Sequence, residues 1–121
     1  MQPEQHLEIA ARIERSLRKC SPEDHEMRIE AAMLAGTHRL NAALHRTGVT
    51  AEASDVFHSY LLTVNEFRRL CVAQNEALRA LAEIEDLRVP YVRGNWQGAE
   101  AAGARALELL ARISAVTNER E

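Results

Sequence analysis

The chain has 121 residues, of which 46% are hydrophobic, 27% charged and 4% aromatic, with a formal net charge of −3. That length fits one domain over residues 1–121, large enough to bury a core without a metal or disulfide, and Cys20 and Cys71 are too few and too far apart for a zinc motif or a disulfide framework. The acidic balance excludes long-range attraction of the whole molecule to nucleic acid, while the lack of a signal pattern and of any apolar run near the roughly 20 residues that span a bilayer points to a reduced, cytoplasmic protein without a membrane partner.

Ala, Leu, Glu and Arg dominate, and Gly, Pro and β-branched residues are sparse, so the expected class is all-α. Fourteen Arg against one Lys fits the base composition of a GC-rich bacterial genome. In the first helix, opened by Pro3, the residues Ile9, Ala10, Ile13, Ser16, Leu17 and Cys20 recur at helical spacing. Ser21-Pro22-Glu23-Asp24 reads as a cap, a first-turn Pro and two acids, which starts a second helix running to about Thr47 with Gly48 as its left-handed terminator. On that helix Ile29, Met33, Gly36, Leu40 and Leu44 form one stripe and Glu30, His38, Asn41 and His45 fall roughly opposite. Ala31, Ala32, Ala35, Ala42 and Ala43 lie between the stripes, so the helix is expected to be central and approached on several sides.

Val56, Phe57, Tyr60 and Leu61 suit a short helix or the opening of a longer one. From Phe67 to Leu87 a single apolar stripe, interrupted only by Gln74, predicts a third long helix that Pro90 ends by forcing Val89 out of the helical region. Gly94-Asn95 then supplies turn and cap chemistry before a last helix carrying Trp96, Ala99, Gly103, Ala106, Leu110 and Ile113, and the polar end TNERE is expected to fray. The short joints predict an antiparallel bundle of four to five helices.

Several landmarks are carried by RIEAAMLAGTHRLNAALHRTGVT with its mid-helix His, by the later His58, by Arg88 shortly before Tyr91, and by AEAAGARALELLARI. Their order resembles that of a HEPN domain, over nearly the whole chain. The resemblance implies a homodimer, a possible protein partner such as a nucleotidyltransferase, and RNA or a nucleotide as ligand. Active members of that family are metal-independent, toxin-like endoribonucleases that use an Arg and a His four to six residues apart. Arg39 and His45, with five residues between them, have that spacing, although Leu40 stands where a polar neighbour usually follows the Arg. In such a pair the Arg holds the scissile phosphate and the His moves a proton during attack by the 2′-hydroxyl.

The residues themselves point to a polar cleft. His38, Asn41 and His45 share a helix face, His58 and Asp55 approach from the next segment, and Arg39 stands at the edge. Seven residues separate His38 from His45 by about 10 Å along the axis, too far to chelate one ion without a third element, so neither a metal nor a cofactor is expected. Arg88, Tyr91 and Arg93 near the amino end of the last helix form a second candidate, for a small phosphate or nucleotide. Two function classes result: a helical binding or interaction module, homodimeric and without chemistry of its own, or an RNA-cleaving enzyme.

Overall fold

Pro3 sits in the first turn of α1 (Pro3–Leu17), where a missing N–H costs no helical bond, and Gln2 and Gln5 cap that end reciprocally. In the computed structural model, which describes residues 1–118, α1 is followed by α2 (His25–Arg46), a 3₁₀ turn (Ser59–Leu61), α3 (Val64–Ala73), α4 (Asn75–Arg88), a π turn (Val89–Arg93) and α5 (Ala99–Thr117). The fold is an all-α helical bundle, with no strand among the described residues. No described helix is long and apolar enough to cross a membrane. Of the TNERE end, Thr117 closes α5 with its hydroxyl donating to the Ile113 carbonyl, and residues 119–121 lie outside the described part.

The central position expected for the second helix is what α2 occupies. It packs on α1, α4 and α5, and Ile29, Met33, Gly36, Leu40 and Leu44 are all buried. Small residues make this possible: a methyl group on Gly36 would come within 3.0 Å of the Ile113 side chain, and one on Gly103 within 3.3 Å of the His25 backbone. Consecutive long helices alternate in direction, so α2 and α5 run side by side in the same sense, His25 beside Gly103 and Gly36 beside Ile113. At the far end, the Arg46 guanidinium donates to the Thr117 carbonyl at 2.7 Å. Gly48 ends α2 as the sequence suggests, with a φ of 77°, its N–H on the His45 carbonyl and the Val49 N–H on that of Leu44.

Four boundaries differ from expectation, each for a local reason. Ser21-Pro22-Glu23-Asp24 is a turn rather than a first helical turn, because the Asp24 carboxylate reaches back to the Ser21 N–H at 2.9 Å, and α2 starts at His25. The single helix expected from Phe67 is two. Thr63 and Glu66 form a capping box that opens α3 at Val64, and Gln74 leaves the helical region at φ −140° and ψ 63°. The Gln74 N–H still donates to the Leu70 carbonyl and its own carbonyl accepts from Leu78, so the bend sacrifices neither bond and aims Leu70 and Leu78 into one core.

Pro90 does not push Val89 out of the helical region; Val89 keeps φ −64° and ψ −53°. The backbone instead widens into the π turn, where the Gly94 N–H reaches the Val89 carbonyl and Pro90 occupies a position that needs no donor. Consequently α5 begins at Ala99 behind a left-handed Gly98, and Trp96 is neither on it nor in the core but exposed. Between α2 and α3 only Ser59–Leu61 takes a helical turn, leaving Phe57, Tyr60 and Leu61 on the surface.

Candidate functional site

Residues 47–63 cross the bundle with little regular backbone pairing, so their buried polar groups must be met by side chains. Three residues reaching from the helices and from the segment itself do this. The Asn41 amide from α2 donates to the Val56 carbonyl and accepts from the Val56 N–H, each at 2.7 Å, as a neighbouring strand would. Glu85 from α4, itself buried, accepts from the Ser59 N–H at 3.0 Å and from the Ser59 hydroxyl, and lies 3.2 Å from His58 Nδ1. Asp55 meets two imidazoles: its Oδ1 stands 3.0 Å from His6 Nε2 and 2.7 Å from His45 Nε2.

The outer nitrogens of these rings are held as well. His45 Nδ1 lies 2.7 Å from the Thr50 hydroxyl and 3.3 Å from the Thr50 carbonyl, and His6 Nδ1 lies 2.9 Å from His38 Nδ1. The rings of His6 and His38 are 5.1 Å apart and those of His6 and His45 5.3 Å. Burial pushes the Asp55 carboxyl up, but hydrogen bonds from His45 and His6 outweigh it and hold it below the ordinary aspartate range. Burial lowers the His38 imidazole, helped by His6 and Arg12 and opposed by Asp55, so the ring favours its neutral form. A neutral ring donates at one nitrogen and accepts at the other, which is what a chain of imidazoles requires.

A cleft of about 280 Å³ opens above this cluster, lined by His6, His38, Asn41, Asp55 and His58 among others, with Leu34 and Phe57 at its apolar side. The structure thus gathers the expected His38, Asn41 and His58 and adds His6. His45 belongs to the same network from beneath, its side chain fully enclosed. Arg39 does not stand at the edge. Its guanidinium faces α1, where Glu14 holds it through two bonds of 2.6 and 2.7 Å, and it also donates to Asn118. Those Glu14 bonds raise its already high pKa against the effect of burial. Arg39 and His45 are therefore engaged with separate partners on different faces of α2, and the geometry does not assemble them as one catalytic pair.

The second candidate is likewise divided. Arg88 pairs with Glu30 at 3.0 Å and shares a cleft of about 320 Å³ with Arg93, where Glu85 and Asp86 offset the positive charge. Tyr91 is half-buried against the core with its hydroxyl close to Gly98 at the amino end of α5, a cleft at that end is lined by Glu23 and Glu100, and Arg88 is committed to Glu30. A phosphate subsite built jointly from Arg88, Tyr91 and Arg93 on that helix end is not formed. No protein-family model matches the chain, and no match is found among curated proteins or solved structures.

Sequence reasoning missed His6 and Glu85. Both carried a signal: His6 extends the buried α1 stripe of Ala10, Ile13 and Leu17 by one turn, and Glu85 adjoins Ile84 on the stripe that also holds Leu78 and Leu81. A polar residue on a core stripe needs a partner, and both partners come from the segment after α2.

Proposed function

We propose that the chain is a helical binding and interaction module of HEPN-like type, a homodimer whose working face is the His- and Asn-lined cleft. The observation that carries this reading is the apolar rim beside the cleft. Phe57, Tyr60, Leu61 and Val64 fall within eight residues and are each at least 60% exposed, and the exposed Leu34 lines the same cleft as Phe57. Isolated exposed apolar residues are ordinary, but a continuous group beside a polar cleft marks a contact surface. A second copy of the chain is the occupant that this reading assigns to it, which places two clefts next to one interface. Enzymatic RNA cleavage has weaker support, because Arg39 and His45 are each committed elsewhere.

The expected result in light scattering at micromolar concentration is a mass of twice the 13.6 kDa of one chain. Replacing both Phe57→Asp and Leu61→Asp is expected to return the mass of one chain with helical circular dichroism unchanged, since both side chains are exposed. A parent protein that stays monomeric over that range overturns the reading.

A further inference from the structure

We propose that His6 Nε2, His45 Nε2 and Asp55 Oδ1 bind one zinc-class divalent transition-metal ion, with a fourth position open toward the cleft. This gives the cleft a ligand class and rests on its reading as the binding face. The three atoms come from α1, α2 and the segment after α2, and all lie within 4.8 Å of one another. Zinc bonds of about 2.0–2.2 Å in a tetrahedron separate neighbouring ligand atoms by roughly 3.4 Å. The spacings of 3.0 and 2.7 Å to Asp55 open slightly to accept the ion, and the two imidazole nitrogens, in a set of atoms within 4.8 Å of one another, draw toward the same tetrahedral separation. Two imidazoles and a carboxylate are the donor set that borderline divalent ions prefer.

The surroundings are those of a metal site. A ligating His passes its other N–H to an outer acceptor that fixes the ring, and here Thr50 stands behind His45 and His38 behind His6. Without an ion, both rings donate Nε2–H to Asp55, while their Nδ1 atoms accept from the Thr50 hydroxyl and from His38. With one, the three imidazoles exchange tautomers and the Nδ1–H groups point outward. Both arrangements use neutral rings, so metal uptake creates no unpaired buried imidazolium. His6 and Asp55 line the cleft while His45 is enclosed beneath, which leaves the cleft side for a water or ligand atom.

The test uses the full chain, titrated with cobalt(II) followed by its visible absorption, competed with zinc, and examined by zinc X-ray absorption. One equivalent bound through nitrogen and oxygen donors is expected. Combining His6→Gln and His45→Gln is expected to abolish uptake, and Thr50→Val to weaken it by about 10- to 100-fold, as loss of an outer partner does. No saturable one-equivalent binding by the parent protein overturns the proposal. So do sulfur donors, which would place the ion at Cys20 or Cys71, and so does unchanged uptake by a folded double variant. If a variant fails to fold, the absorption spectrum of the parent protein decides alone. A dimer that takes no metal keeps the module reading and ends this one, whereas a metal-binding monomer does the reverse.

Discussion

Asn41→Leu is expected to lower the free energy of unfolding by about 3 kcal/mol. Leucine shares asparagine's branched outline, with bulkier methyl groups at its ends, but offers neither a donor nor an acceptor. The Val56 N–H and carbonyl, both facing a buried position, each lose their partner, and an orphaned buried group costs about 1–3 kcal/mol. Water cannot easily replace the amide, because Asn41 is 1% exposed and Val56 5%. Urea denaturation of parent and variant measures the difference. A loss below about 1 kcal/mol would mean that residues near Val56 find other partners, and the cross-bundle segment is then not held as described.

Glu85→Ala is expected to cost a similar amount, about 2–4 kcal/mol, through a different pair of groups. The Ser59 N–H and hydroxyl both end on this carboxyl, Ser59 is buried, and the methyl of alanine leaves a gap beneath the 3₁₀ turn. Asn41 and Glu85 hold the same segment from two different helices. Once one has gone, the segment is partly released and the other has less to hold. The double variant is therefore expected to lose less than the sum of the two singles, and additive losses in the same denaturation experiment would show two independent anchors.

The bundle was legible because its signals are periodic. The stripe from Ile29 to Leu44 is buried as spaced, and Gly48 takes the left-handed position its place after the helix requires. The Gln74 bend was not legible from the stripe, since Leu70 and Leu78 keep helical spacing across it, and the capping box of Thr63 and Glu66 that opens α3 was not read. Pro90 was read as a helix end that forces Val89 out of the helical region, whereas Val89 stays helical and the π turn uses a carbonyl one residue further back. At the site, the i, i+3, i+7 spacing of His38, Asn41 and His45 showed that polar groups share one helix face. Asp55 and His58 were expected from the next segment, but the spacing gave no means of pairing the face with His6, which lies 32 residues before its contact on His38. Long-range partners of polar side chains are fixed by how helices dock, and no local pattern encodes that.

The side-chain fastening of residues 47–63 also predicts an order in which the molecule comes together. Asn41 meets a residue 15 positions away and Glu85 one 26 positions away, and the second contact forms only once α4 lies against the segment. The strap is thus expected to close late, on the native side of the folding barrier. Its loss then speeds unfolding and leaves refolding nearly unchanged. Stopped-flow traces of Asn41→Leu should show the stability loss almost wholly in the unfolding limb, and a refolding rate that falls in proportion would place the strap in the nucleus. A protein built this way is expected to exchange the amide hydrogens of this segment faster than those of the bundle beneath it, since few bonds hold it.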